Sequence, residues 1–104
     1  MVSINVDGTT FYVDFERIRK HDGYVYYWVL TDFLKPDEDG VLSFKIYIQG
    51  DCKKLRLKFL SGSSHKEPMG GGTGKDEKPD EEWHYPPPDT VSETILKTVC
   101  QYAR

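Results

Sequence analysis

Residues 90–104, TVSETILKTVCQYAR, form the one stretch of this chain that reads as an α-helix. Val91, Ile95, Val99 and Tyr102, with Leu96, Cys100 and Ala103 beside them, recur at helical spacing and make one broad apolar stripe. Ser92, Glu93, Lys97 and Gln101 are left for water. Thr90 and Glu93 fit a capping box, in which the threonine hydroxyl accepts from an orphan backbone N–H while the glutamate reaches back. Three prolines, Pro86, Pro87 and Pro88, bar any earlier start. A helix of about four turns is marginal alone in water, so this one must dock on the remainder of the chain. That remainder reads as sheet.

Val2, Ile4 and Val6 alternate with polar residues, Asp7-Gly8 turns, and Thr10 to Val13 resumes an extended run, as a hairpin or as two separate edge strands. After a short polar segment, Asp22-Gly23 marks a tight hairpin loop, because glycine accepts the positive φ that such a turn demands. Residues 24–33, YVYYWVLTDF, are the strongest strand; aromatics fall on both of its faces, which predicts a central strand covered at least partly on both sides. Beyond the polar loop 35–40, residues 41–49 alternate cleanly, with Leu42, Phe44, Ile46 and Ile48 on one face. Gly50-Asp51 is expected to turn the chain, and Leu55, Leu57 and Phe59 alternate with charged residues in the next strand. Cys52 shares the parity of the charged set, and a bulge near Lys53 would shift it by one. Residues 61–82 are rich in serine, glycine, proline and charge and read as a long flexible loop. Trp83 and Tyr85, flanking His84, predict a short last strand.

The whole, 104 residues with 38% hydrophobic content and 30% charge, fits one domain over 1–104 of the α+β class. A net charge of -3 argues against a dedicated nucleic-acid or anionic-membrane binder. No run is long and apolar enough to span a bilayer, and the first residues lack the pattern of a signal peptide, leaving a cytosolic protein or the mature part of an exported one. The two cysteines, Cys52 and Cys100, fit either a single staple between helix and sheet or two inert buried thiols.

Chemistry finds little purchase. The run Gly70-Gly71-Gly72-Thr73-Gly74-Lys75 fails as a phosphate loop, since Met69 and Asp76 stand where glycine and a hydroxyl belong. His21, His65 and His84 show no metal spacing and are expected at the surface; no metal or cofactor is expected. Asp14, Glu16, Asp32 and Asp51 would do acid–base work only by converging in space. The aromatics are more telling. Those of Tyr12, Tyr24, Tyr26, Tyr27, Trp28, Tyr47, Trp83 and Tyr85 not needed for the core would lie outside, beside Lys45, Lys54, Arg56 and Lys58. Such a surface suits protein or glycan contact; the same pairing also stacks single-stranded nucleic acid, against which the acidic total counts. Lys45, Tyr47, Lys54, Arg56 and Lys58 are therefore the candidate partner-binding residues.

The order of landmarks resembles the surface-adhesin protein E family of bacteria. The landmarks are Tyr12-Val13-Asp14, the basic segment ending in Asp22-Gly23, the Trp28-centred strand, Gly50-Asp51-Cys52-Lys53, Glu67-Pro68-Met69-Gly70, Trp83, and Pro88 through Val99-Cys100. The resemblance implies a curved, mostly antiparallel sheet of about six strands, with the C-terminal helix on its concave face and a Cys52–Cys100 disulfide joining the two. It also implies export to the periplasm, outer-membrane surface or medium, and a non-enzymatic module holding a matrix or envelope protein. A structural envelope domain, which an uncovered sheet edge could pair into a homodimer, is the alternative, and a small ligand-binding enzyme a more distant one. A thiol titration of the unreduced, denatured protein should find no free sulfhydryl; two titratable thiols would place the chain in a reducing compartment.

Overall fold

The structure, a computed structural model, describes residues 2–6, 8–79 and 82–103. Among these, seven strands make one antiparallel sheet: β1 (Val2–Val6), β2 (Thr9–Val13), β3 (Arg19–His21), β4 (Tyr24–Asp32), β5 (Ser43–Asp51), β6 (Arg56–His65) and β7 (Lys75–Glu77). Their spatial order is β1-β2-β4-β5-β6-β7, with β3 also paired to β4. The first two strands are a hairpin, Val6 opposite Thr9. Strands β2 and β3 run along the same side of β4, facing residues 29–32 and 24–26 in turn, and a single 3-10 turn at Phe15–Arg17 separates them. They are in effect one long strand broken in the middle. Asp22 and Gly23, with φ of 52° and 83°, make the two-residue hairpin turn into β4 that the Asp-Gly pair called for.

Helix α1 (Val91–Tyr102) lies across one face of the sheet. Its Ile95, Leu96 and Val99 are buried against Val13, Val25, Tyr27, Val29, Ile48 and Leu57, the inward set of four different strands. The Thr90 oxygen accepts from the Glu93 N–H at 3.2 Å, as the capping signature requires, but the Glu93 carboxylate accepts from Asp89, one residue earlier than the box predicts. Tyr102, expected in the stripe, is 60% exposed and touches only the rim, edge-on to Phe15 at 5.1 Å. Tyr27 is wholly buried with its hydroxyl unpartnered, and burial raises its pKa.

Cys52 and Cys100 are joined, with Cα atoms 5.8 Å apart. The bulge expected near Lys53 is absent because Cys52 belongs to no strand: β5 runs on through Asp51, and the chain turns over residues 52–55 with Leu55 in the left-handed region. Turn residues owe nothing to strand parity, so the conflict disappears. The irregularity lies in the middle of the same ladder, where Tyr47 faces Ser61 and Ile48 faces Phe59, leaving Leu60 as the extra residue.

Further expectations need correction. Residues 61–65 complete β6 and residues 75–77 form β7, so the stretch 61–82 is not one long loop. Small residues permit this: a side chain at Gly62 would press on the Phe44 ring at 3.2 Å. His65 is 6% exposed rather than at the surface, its ring held between the Ser63 hydroxyl at 2.8 Å and the Gly71 carbonyl at 3.2 Å. Around Trp83 and Tyr85 there is no strand, only a bridge in which His84 exchanges both backbone hydrogen bonds with Leu57. Strand β4 is central, yet only its Val25, Tyr27 and Val29 face is sealed.

Gly50 sets how closely the helix approaches. A Cβ there would sit 2.6 Å from Leu96 and 3.0 Å from Val25. Gly50→Ala should therefore lower stability by about 1–3 kcal/mol through overpacking, read as a reduced urea midpoint with the disulfide intact. An unchanged midpoint would mean that the helix does not seat on β5 as described.

Candidate functional site

Strand alternation carries the site. Because Val25, Tyr27 and Val29 point into the core, Tyr24, Tyr26, Trp28 and Leu30 must point the other way. Strand register places Tyr47 opposite Trp28 and Lys45 opposite Leu30, and the same side of β6 presents Arg56 and Lys58. The outer face of β4, β5 and β6 is thus aromatic and basic while the inner face is apolar and uncharged.

Two groups form on that outer face. In the first, the Tyr47 ring lies 4.8 Å from Trp28 and 6.2 Å from Tyr26, centroid to centroid. In the second, Trp83, delivered by the segment that bridges to Leu57, lies 5.6 Å from Tyr24 with the Arg56 guanidinium 4.1 Å and the Lys58 ammonium 4.6 Å from its ring centroid. Cations over an indole face are attracted by its quadrupole, so the ring and the charges hold each other in place. Of the five residues singled out by sequence, Tyr47, Arg56 and Lys58 enter these groups. Lys45 stands on the same face two residues from Tyr47, and Lys54 is set apart on the exposed turn between β5 and β6.

Asp51 organises that turn. One carboxylate oxygen accepts from the N–H groups of Lys53 and Lys54 at 3.1 and 3.3 Å, and the other accepts from Arg56 Nε at 2.9 Å. Burial pushes its pKa up, but the bonds from Arg56, Lys54 and Lys53 outweigh that and hold it below the usual carboxylate range. The one side chain therefore shapes the turn that carries Cys52 and aims Arg56 at Trp83. Sequence reasoning missed this role; the signal was an aspartate two and three residues before the amides it captures, a common turn pattern.

At the β2 end of the face, Tyr12, Asp14, Arg17, Trp28, Val29, Leu30, Lys45 and Met69 surround a cavity of about 500 Å³. Met69 arrives there on a short 3-10 turn, Pro68–Gly70, tied down by three hydrogen bonds. The Met69 N–H donates to Asp32 at 2.9 Å, the Ser43 hydroxyl donates to the Glu67 carbonyl at 2.6 Å, and the Gly70 N–H donates to the Ser43 oxygen at 2.8 Å. The carboxylates flagged from sequence do not gather: Asp14 pairs with Arg17 at 3.4 Å, Asp32 with the Met69 amide and Asp51 with Arg56. Among the described residues no three His, Cys, Asp or Glu side chains are placed to hold a metal ion.

On the inner face, beyond the helix, a smaller apolar cleft of about 210 Å³ lies among Phe11, Phe44, Ile46, Phe59, Val91 and their neighbours, none of them titratable. No helix among the described residues is long and apolar enough to cross a membrane.

The contribution of Asp51 can be read by pH. A carboxylate whose folded pKa lies below its unfolded value of about 3.9 stabilises the fold above that pH and ceases to as pH falls through the folded value. The urea midpoint of the protein should accordingly fall as pH drops below about 4, and Asp51→Asn should be less stable at neutral pH with a flatter profile across that window. Superimposable profiles would remove Asp51 from its place in the turn.

Comparison with known proteins agrees with this architecture. The family model described as surface-adhesin protein E matches residues 1–101. Crystal form II of Haemophilus influenzae protein E superposes with a TM-score of 0.66 at 19% identity, over 90% of this chain and 83% of that one. Protein E from non-typeable Haemophilus influenzae gives 0.62 at 18% identity, over 95% and 75%. Among curated proteins none matches the sequence. With an antiparallel sheet, one C-terminal helix tied to it by a disulfide and a family match along nearly its whole length, the chain belongs to the surface-adhesin protein E family.

Proposed function

We propose that this chain is an extracytoplasmic, non-enzymatic binding module that holds a protein partner, of the extracellular matrix or of the bacterial envelope, on the outer face of β4, β5 and β6. The observation that carries the reading is the half-buried aromatic and basic band on the outer face: Trp28, Tyr47 and Tyr26 in one group, Trp83 with Arg56 and Lys58 in the other. Large amphipathic rings held rigid by their neighbours, with cations among them, are the composition of interface hot spots. Lys45 and Lys54 extend the same charge to either side.

The inner face supports the non-enzymatic half of the reading. Helix side chains fill much of it, and the cleft that remains is lined by no titratable side chain, its polar lining being the hydroxyls of Thr31 and Ser92. The disulfide supports an oxidising compartment, and the adhesin family supports surface contact.

Surface plasmon resonance against immobilised matrix proteins and native envelope extracts tests the proposal. Saturable binding is expected, with Tyr47→Ala and Lys58→Glu each weakening it by about tenfold, or ~1.4 kcal/mol. A flat response at high micromolar concentration, or binding indifferent to both substitutions, would remove the outer face as the contact surface.

A further inference from the structure

A serine and a histidine stand two residues apart on the outer face of β6, and their contacts fix the proton between them. His65 Nδ1 lies 3.2 Å from the Gly71 carbonyl oxygen, and its Nε2 lies 2.8 Å from the Ser63 hydroxyl. A carbonyl can only accept, so the proton of the neutral imidazole sits on Nδ1. Nε2 is left with its lone pair, and the Ser63 O–H donates to it. This is the arrangement of an activated nucleophile: a hydroxyl, a base within hydrogen-bond reach, and a third group that orients the base. The Gly71 carbonyl takes the orienting place that a carboxylate holds in many hydrolases.

Packing holds the ring and leaves the hydroxyl reachable. His65 is buried, and a Cβ at Gly74 would strike its ring, so the loop that follows β6 lies directly on the imidazole. Ser63 is half-buried and lines a cavity of about 450 Å³ with Trp28, Leu60, Asp76 and Pro79, a lining to which His65 does not contribute. The hydroxyl therefore stands between the cavity and the base. Lys45 faces Ser63 from β5 and Asp76 faces it from β7, Glu77 and Lys78 join the cavity lining, and Glu67 lies against Gly72 in the loop. Ser61, two residues earlier on the same face, is exposed and lines the same cavity, with no hydrogen bond to a histidine among the described residues.

We propose that Ser63 is an acyl acceptor, taking the acyl group of an activated ester with His65 as general base. This role is separate from partner binding through Tyr47 and Lys58. Ser63 Oγ attacks the acyl carbonyl carbon while its proton passes to His65 Nε2; the tetrahedral adduct then expels the alcohol, which takes that proton away. The products are the Ser63 O-acyl ester and the free alcohol, with the imidazole neutral again. Trp28 and Leu60 give the acyl group an apolar wall. Burial of His65 keeps water from Nε2 once Ser63 is esterified, so the acyl group stays and the site is modified once rather than turning over.

The test treats the folded, disulfide-bonded protein with 4-nitrophenyl acetate and reads acetyl on each serine by peptide mapping. Ser63 should be acetylated at least about tenfold faster than Ser61, which shares its strand, face and cavity. The Ser63 rate should rise and level off with pH as the His65 imidazole, followed by NMR, loses its proton; the Ser61 rate should not follow that curve. His65→Asn keeps a donor near Gly71 and removes the base, so Ser63 should drop to the rate of Ser61 while Ser61 is unchanged. A nitrogen-15 spectrum of the unsubstituted protein, which depends on no variant folding, should place the proton of neutral His65 on Nδ1. Equal rates at the two serines, a Ser63 rate indifferent to His65→Asn, a proton on Nε2, or loss of the acetyl within minutes of removing the reagent would each overturn the assignment.

Discussion

The bond between Cys52 and Cys100 is the constraint on which the arrangement depends. It fastens the last turn of α1 to the turn between β5 and β6, closing a loop of 48 residues. In the chain-entropy model such a closure is worth about 4 kcal/mol, a large part of the stability of a domain this size. The bond is placed by two things around it: Asp51, which folds the turn under Cys52, and the seating of Leu96 against Gly50, which brings the end of the helix within reach. Covalent geometry and close packing specify the same helix position.

From that position the division of labour between the two sheet faces follows. The helix needs an apolar surface and takes the Val25, Tyr27 and Val29 side of β4, so the alternate residues of the same strand are turned outward. An outward row of three rings would be a liability if left loose. Here each ring has a neighbour, and Trp83 is brought across from a distant segment to complete the row under two cations. The outer face is therefore held in order by its own neighbours, the kind of pre-organisation that lowers the entropy cost of a contact.

Much of this was legible in the sequence wherever a pattern has a period. The 3.6-residue stripe of α1, the alternation of β5 and the Asp22-Gly23 turn are local signals, and each led to the element found. What failed was whatever depends on distant partners. Cys52 was counted into a strand that begins only at Arg56, because nothing local marks where a ladder starts. His65 looked like a loop histidine, and its burial comes from Ser63 beside it and Gly71 folded over it. Residues 61–65 seemed too small and polar to be ordered, yet a strand can be held by its backbone ladder and by a neighbour's ring lying across a glycine. The five candidate contact residues were found by composition, while the pocket beside them was not, since Met69 reaches it only through an unusual backbone angle.

The position of the sulfur bridge has a mechanical consequence. If tension is applied between the two ends of the chain, the load passes from Cys52 directly into Cys100. The intervening residues, with β6, β7 and Trp83 among them, cannot be drawn out, which withholds about 160 Å of contour length from any extension. Only the strands before the bridge and the few residues after it can unravel under pull. Of the outer-face band, Trp83, Arg56 and Lys58 thereby lie within the span closed by a single covalent crosslink.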